Sequence, residues 1–272
     1  MLAPSLPTIM QRAVGVGRLS AKHGLGRTRI DRLFQEGAAK IRIPQRPDGV
    51  FEAILINTAG GLTGGDRMDW QFDISAGSSV TLTTQACEKI YASSEGTAKV
   101  ATRINVGSGG CLAWLPQETI LFNEAQLARS LTVELAEGAE ALILEPVAIG
   151  RLAMGETSVT GAFSDRWRIS QAGRLLHAED FRIGPNITML AGERAVLNGA
   201  GSFATLLLIS PRAEARLEPA RAIIGPEGGA SFWNGKLLAR LVDNDAYSLR
   251  KRLIPLVNLL NREAALPKCW SL

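Results

Sequence analysis

Residues 57–91 have the sequence NTAGGLTGGDRMDWQFDISAGSSVTLTTQACEKIY, in which a glycine-dense loop precedes an alternating segment. Four glycines fall within residues 60–65, and glycine adopts positive φ and permits close approach of another chain or a ligand. Trp70, Phe72 and Ile74 then alternate with polar residues, a period of two that predicts a half-buried β-strand. No Lys-Ser or Lys-Thr pair follows the glycines, and a strand rather than a helix comes next, so phosphate binding is disfavoured. A tight loop required only by the fold is the simpler interpretation.

The alternating segment begins an internal repeat. Each copy has three strand positions spaced by two, a glycine three residues later, and then a second strand. The aligned copies are Trp70, Phe72, Ile74, Gly77, Val80, Leu82 and Gln85; Thr102, Ile104, Val106, Gly109, Leu112, Trp114 and Gln117; and Leu131, Val133, Leu135, Gly138, Ala141, Ile143 and Pro146. A looser fourth copy contains Trp167, Ile169, Gly173 and Leu175. One strand pair buries too little apolar surface to be stable alone, so we expect the copies to stack.

The sequence therefore predicts a mainly β fold, a helical or solenoid-like arrangement of stacked strand pairs, as a single domain over residues 1–272. A sandwich of unrelated hairpins that share glycine turns is the alternative. Near the C-terminus, apolar residues at helical spacing predict two helices, one within 211–224 and one within 245–265 that is bent or restarted at Pro255.

Polar residues cluster in the segments that connect the copies. They are Thr83, Thr84, Gln85, Glu88, Lys89 and Tyr91; Gln117, Glu118 and Asn123; Glu145, Arg151 and Glu156; and Asp165, Arg166, Glu179, Asp180 and Arg182. If the copies stack in register, these segments fall on one edge and form a seam of carboxylates and amides. A solvated rim of loops is the other interpretation.

Composition argues against several classes of protein. The net charge is +4 with no dense basic run, which disfavours nucleic-acid binding. No stretch of 18 apolar residues and no signal peptide occurs, so membrane insertion and secretion are not expected. The three cysteines, Cys87, Cys111 and Cys269, form no CxxC pair and fit a reducing cytoplasm.

The residues of common catalytic and metal sites are also scarce. His23 and His177 are the only histidines, so a histidine-rich metal cage cannot form, and no HExxH motif occurs. No G-x-S-x-G elbow is present to position a nucleophilic serine. We therefore expect neither an enzyme nor a tightly bound cofactor.

Several long motifs, in order, are similar to those of the urease accessory protein family UreD, also called UreH. They are GAAKIRIP at 37–44, LINTAGGLTGGD at 55–66, TTQACEKIY at 83–91, WLPQETILF at 114–122, EPVAIGRLAMGE at 145–156, DRWR at 165–168 and LPKCW at 266–270. The resemblance covers essentially the whole chain. One departure is Ala92, where the family commonly has Arg after the Tyr of the EK-x-Y motif, and this leaves the role of a basic residue there open.

The resemblance implies a non-catalytic, cytoplasmic maturation factor that binds apo-urease together with UreF and the GTPase UreG. Such a factor assists GTP-dependent insertion of nickel, and a dimer within the accessory complex is compatible with this role. Proposals for the family include an internal water-filled passage for nickel. Transferred position by position, Asp66 of the GGD motif and Glu156 of the MGE motif resemble acids of that passage.

We predict that four acids, Asp66, Glu118, Glu156 and Asp180, line a polar path for transient Ni²⁺. Carboxylates without imidazole or thiolate hold Ni²⁺ weakly, and weak binding suits transit because the ion must also leave. Two alternatives stay open: a structural clamp through which no metal moves, and a sugar-cleaving enzyme on a β-solenoid, which requires an aromatic-lined groove between two acids.

Overall fold

The computed structural model describes residues 11–151, 154–261 and 265–270. The described residues are mainly β-strand, with few helices. The strands are β1 (Val14–Gly24), β2 (Arg27–Gly37), β3 (Ala39–Arg42), β4 (Phe51–Asn57), β5 (Arg67–Ile74), β6 (Ser79–Thr84), β7 (Glu88–Ile90), β8 (Ala98–Val106), β9 (Cys111–Leu115), β10 (Thr119–Leu121), β11 (Ala125–Leu135), β12 (Glu140–Ile149), β13 (Gly161–Gln171), β14 (Arg174–Ile183), β15 (Ser202–Ile209), β16 (Gly228–Trp233) and β17 (Lys236–Asp243). The α-helices are α1 (Ile187–Gly192), α2 (Leu217–Ile224) and α3 (Ala246–Leu260).

Two sheets lie against each other. One has the strand order β14-β13-β11-β8-β5-β1-β2, and the other has the order β16-β17-β15-β12-β9-β6-β4-β3, with β10 paired to β12 and β7 paired to β10. The chain passes from the first sheet to the second and back in each repeat. Strands β5, β8, β11 and β13 are parallel neighbours in the first sheet, and β6, β9 and β12 are parallel neighbours in the second. This is the solenoid-like stack of strand pairs that the repeat predicts.

The register of the repeat is confirmed residue by residue. Phe72 pairs with Ile104, Ile104 with Val133, and Val133 with Ile169. In the second sheet Leu82, Trp114 and Ile143 form the corresponding row. A turn of four residues carries the chain between the sheets in each of the first three copies (75–78, 107–110 and 136–139).

The fourth copy departs from the prediction after its first strand. Trp167 and Ile169 are in register, but β14 returns antiparallel to β13 in the same sheet, and Leu175 is 62% exposed. The cause is the turn. Only Ala172 and Gly173 separate the two strands, and both have positive φ (49° and 76°), the conformation of a tight two-residue hairpin rather than a crossing turn.

Two apolar cores result. The larger lies between the sheets, and the smaller lies between the second sheet and helices α2 and α3. The two predicted C-terminal helices are confirmed. Gly225 caps the C-terminus of α2. Helix α3 begins after Asp245, whose side chain accepts from Ser248 N, and continues through Pro255. The short helix α1 was not predicted. None of the helices in the described part of the chain is long and apolar enough to span a membrane.

The sequence did not predict β1 and β2, an antiparallel pair at the edge of the first sheet. Each has 11 residues, and β2 is exposed along most of its length. Because both faces of β2 are open, its apolar residues Ile30, Leu33 and Phe34 do not follow a period of two. The β1 side chains Leu19 and Ala21 are buried and join the core between the sheets.

Candidate functional site

The connecting segments of the first three copies fall on one edge, as the stacked repeat predicts. The fourth polar group does not follow the prediction: Asp165, Arg166, Glu179, Asp180 and Arg182 lie within β13 and β14 of the first sheet. Strand β10 pairs in parallel with both β7 and the last residues of β12, and Leu62 bridges to Ile90. Leu62, Ile90, Leu121 and Ile149 therefore form a buried row at the end of the stack opposite the glycine turns. These segments cover the end of the space between the two sheets.

A cavity of about 260 Å³ lies at this covered end. Both sheets and the connecting segments contribute to its walls. Most of the lining is apolar and includes Leu55, Met68, Trp70, Val100, Trp114, Leu127 and Leu131. The polar and ionisable side chains of the lining include Cys87, Glu88, Lys89, Thr102, Gln117, Thr119, Arg129 and Glu145. A mostly apolar cavity with a few convergent polar groups is the usual form of a small-molecule site.

Arg129 is the centre of a buried ionic cluster on the cavity wall. Its Nε and Nη2 lie 3.1 and 2.6 Å from the two carboxylate oxygens of Asp165, and its Nη1 lies 2.5 Å from Glu145 Oε2. Trp114 Nε1 donates to Glu145 at 2.8 Å, and Trp167 Nε1 donates to Asp165 at 3.1 Å. One guanidinium thus faces two carboxylates, and each carboxylate is also held by an indole N–H.

The arrangement of the cluster follows from the strand register. Asp165 and Arg129 are direct partners on β13 and β11, and Glu145 lies on β12 in the opposite sheet, two residues beyond the inward-facing Ile143. Burial raises the pKa of Glu145, and the positive charge of Arg129 only partly offsets this rise. Because Asp165 shares the same guanidinium, its negative charge raises the pKa of Glu145 further.

Glu88 is the second carboxyl of the cavity. It begins β7, and Asn57 Nδ2 donates to its Oε1 at 3.0 Å. Burial raises the pKa of Glu88 to about 7, and the hydrogen bond from Asn57 opposes that shift. A carboxyl with this pKa exchanges a proton near neutral pH, so it can bind a cation by releasing that proton.

Glu118 lies behind the cavity lining. Arg250 Nε donates to Glu118 Oε1 at 2.9 Å, and the Cys87 thiol donates to Glu118 Oε2 at 3.3 Å. Burial raises the pKa of Cys87 to about 11, and the negative charge of Glu118 adds to this effect. The thiol is therefore protonated at neutral pH and is a poor metal ligand in this state.

The other acids predicted for the path lie apart from the cavity lining. Asp66 is buried, and its two oxygens accept from the backbone N–H groups of Ala13 and Thr63, each at 2.8 Å, which fixes the glycine loop to the start of β1. Glu156 accepts from the backbone of Asn123 and Arg151 and from the Arg151 side chain. The guanidinium of Arg151 holds the pKa of Glu156 below its usual range.

Asp180 lies on β14, where it pairs with Arg168 at 2.5 Å, and 43% of its side chain is exposed. Among the described residues that line the cavity, none is Asp66, Glu118, Glu156 or Asp180. Nor does any described group of three or more His, Cys, Asp or Glu side chains converge as a metal cage would require. That these four acids line a nickel path stays a prediction.

Glu88 and Glu145, the two cavity carboxyls, appeared in the sequence only as members of the polar seam. Two signals could have identified the cluster. The alternation Ala141, Ile143, Glu145 places Glu145 on the inward face of its strand. The repeat alignment also places Arg129 and Asp165 at equivalent positions, each two residues before an aligned strand residue.

Comparisons with known proteins cover nearly the full chain. Residues 13–271 match the family described as UreD urease accessory protein. A urease accessory protein UreD of Mesorhizobium japonicum is 56% identical over 270 residues, which are 98% of this chain and 96% of that protein. A UreD 1 of Brucella melitensis is 54% identical over 97% of this chain and 95% of its own length. A UreD of Rhizobium leguminosarum bv. viciae is 54% identical over the full length of both chains.

Proposed function

Because the chain belongs to the UreD family of urease accessory proteins, we propose that it is a non-catalytic cytoplasmic factor that helps to load nickel into apo-urease. In this proposal it acts with UreF, UreG and the urease structural subunits, and UreG couples the step to GTP. Nickel is its cargo, and no cofactor stays bound. The coarser role, urease maturation, rests on the family.

The observation that carries the finer proposal is the cavity between the sheets, with Glu88 and Glu145 in its wall. Carboxylates and water are hard ligands that hold Ni²⁺ less tightly than imidazole or thiolate. The rest of the wall is mostly apolar, and its other oxygen ligands, such as Thr102, Gln117 and Thr119, are neutral, so an ion that enters is held weakly. These properties suit a passage, which must admit an ion and release it.

Substitutions that remove charge but keep shape test this passage. Glu145→Gln keeps an acceptor for Trp114 and leaves Arg129 paired one-to-one with Asp165, so the fold should tolerate the change. Glu88→Gln keeps an acceptor for Asn57. Each variant would be co-expressed with the urease structural and accessory genes, and purified urease would be assayed for nickel content and urea hydrolysis. For each variant we expect urease that is correctly assembled but contains less than half of the nickel found with the wild-type protein.

Asp66→Ala and Glu156→Ala are the comparison set, because they test the path predicted from the sequence. If they lower nickel content and the glutamine variants do not, the path runs outside the cavity. Co-purification of UreF and urease with each variant separates loss of transit from loss of assembly. Normal nickel in all four variants would contradict a passage and favour the structural clamp.

A further inference from the structure

Strand β2 is an open edge of the first sheet. The strand order ends at β2, which pairs with β1 and with no other strand in the described part of the chain. It has 11 residues, about twice the usual length of a strand, and most of it is exposed. The backbone groups on the side away from β1 are therefore an unfilled ladder, to which another extended chain can add.

The register shows which backbone groups lie on this open side. Ala38 N donates to Val14 O, and backbone groups alternate sides along a strand, so the even-numbered residues at the start of β1 bond to β2. Arg18 therefore bonds to its partner Phe34. The N–H and C=O of the next residue, Leu33, point away from β1 to the open edge.

The inner face of β2 is apolar. Leu19 and Ala21 of β1 are buried between the sheets. Their partners on β2, Leu33 and Ile30, lie on the same face, because directly opposed residues of paired strands share a face. Leu33 and Ile30 are nevertheless 43% and 45% exposed. An apolar row thus stays uncovered at the edge of the sheet.

The outer face of β2 is basic. Arg29 and Arg32 are the partners of Lys22 and Ser20 on the face turned away from the core. Asp31, the extra residue at a bulge, pairs with Lys22 at 2.8 Å and lies 3.9 Å from Arg32 Nε. The Arg32 side chain is 90% exposed, and Arg29 Nε is buried without a hydrogen-bond partner among the described residues. This face therefore offers positive charge to an added strand.

The charge of the hairpin decides which kind of strand fits the edge. Residues 14–37 contain five basic and two acidic side chains, which is +3 of the net charge of +4 for the chain. A second copy of the chain would bring its own basic residues beside these, and like charges destabilise a strand pair. Residues 1–10 of the same chain contain no acid. An acidic strand from another protein matches the edge better than either.

We propose that β2 is a docking edge for an extended segment of a partner protein, which adds to the seven-stranded first sheet as an eighth strand. The segment alternates acidic and apolar residues. Its acids face Arg29 and Arg32, and its apolar side chains cover Ile30 and Leu33. Main-chain hydrogen bonds supply affinity, and the alternation supplies specificity. The inference goes beyond the proposed function, because this edge lies outside the cavity and binds no metal.

The test is binding of a synthetic peptide to the full-length protein, measured by fluorescence anisotropy. The probe is a labelled peptide as long as β2 in which Glu and Val alternate. We expect saturable binding, with slower backbone hydrogen exchange at residues 27–37 in the complex. Two control peptides should each bind at least about tenfold more weakly. In one, Lys replaces Glu; in the other, alternate backbone nitrogens are methylated, so the charge is kept but the ladder cannot form.

Substitutions on β2 test both faces. Arg32→Glu reverses an exposed charge beside the added strand, and Ile30→Thr removes apolar contact while keeping a β-branched side chain. We expect losses in peptide affinity of about fivefold and about threefold. Arg174→Glu is the matched control, because Arg174 is exposed on β14, at the opposite edge of the same sheet. It should change the affinity less than about twofold.

Absence of saturable binding would overturn the inference. Equal binding of the methylated peptide would do so too, because it would show charge attraction without strand pairing, and so would protection of β14 or β16 in place of β2. Dimerisation of the wild type with protection of residues 27–37 in the absence of peptide would assign the edge to a second copy. Tighter peptide binding after deletion of residues 2–10 would assign it to the N-terminal segment of the same chain.

Discussion

The two ends of the stacked strands enclose different interiors. At the glycine-turn end, Ile74, Val106 and Leu135 are buried neighbours in the ladder of the first sheet, and all are apolar. At the other end of the same strands, the equivalent row contains Met68, Val100 and Arg129, which line the cavity, and Asp165, which pairs with Arg129. The backbone register is the same at both ends. The apolar rows therefore stabilise the stack at one end, which allows charge and empty space at the other.

The largest expected effect comes from breaking the apolar end. Phe72 is 1% exposed and packs against Trp114 with ring centroids 6.3 Å apart. Phe72→Ala should lower the free energy of unfolding by about 3–5 kcal/mol, because it removes buried surface and leaves a cavity. Urea denaturation measures the change. Ile104→Val, in the same row, should cost only about 1 kcal/mol, and equal losses for the two variants would contradict this account of the apolar end.

At the polar end we expect a substitution, Glu88→Gln, to raise the free energy of unfolding instead of lowering it. The pKa of Glu88 is raised from 4.5 to about 7 by burial. Its contribution to stability is therefore fully present below about pH 4.5 and is lost as the pH rises to 7. Glu88→Gln avoids this loss and should be more stable than the wild type at pH 8 by on the order of 3 kcal/mol.

The difference between Glu88→Gln and the wild type should vanish near pH 4.5, and thermal or urea unfolding from pH 4.5 to 8 measures it. Gln is the matched substitution because it keeps an acceptor for Asn57. Parallel stability curves for the two proteins over this range would show that Glu88 titrates as an ordinary surface carboxyl.

The crossing turns should give a smaller effect. Gly109 has a φ of 63°, and nothing lies within 4 Å of the Cβ that a substitution would add. Gly109→Ala therefore tests backbone strain alone, and we expect a loss of about 1–2 kcal/mol in the free energy of unfolding. Gly229→Ala is the control, since that position has equal space without a positive φ. An equal loss of stability in both variants would show that the effect does not come from the positive φ at the turn.

The smallest expected effect is at the outer surface. Asp180 pairs with Arg168, but 43% of the Asp180 side chain is exposed, so solvent screens the interaction. Asp180→Asn should lower the free energy of unfolding by less than about 1 kcal/mol. A double-mutant cycle with Arg168→Met measures the coupling. A coupling above about 2 kcal/mol would mean that this pair resembles the buried cluster more than a surface ion pair.

Much of the fold could be predicted because its signals are local. Alternation at a period of two and a glycine at a fixed offset describe each strand pair, and the register of Phe72, Ile104 and Val133 follows from aligning the copies. Strand β2 could not be predicted, because both of its faces are exposed and its hydrophobicity has no period. Strand β14 pairs antiparallel with β13 because the turn between them has only two residues. The position of Gly173 in the aligned copies did not reveal that short turn.

The candidate site was less accessible to sequence reasoning. Asp66 and Glu156 belong to distinctive motifs, yet their oxygens accept hydrogen bonds from nearby backbone groups. The ionic cluster on the cavity wall consists of Arg129, Asp165 and Glu145, which come from three strands and two sheets. Only the stacking of the copies brings them together, and a single motif cannot report such a contact.

In the proposed function, a nickel ion enters the cavity between the sheets. Anomalous diffraction at the nickel absorption edge, from crystals of the full-length protein grown with a nickel salt, tests it most directly. We expect an anomalous peak inside the cavity, next to the carboxylate of Glu88 or Glu145. Nickel found solely outside the cavity, at Asp66 or Glu156 for example, would contradict the claim.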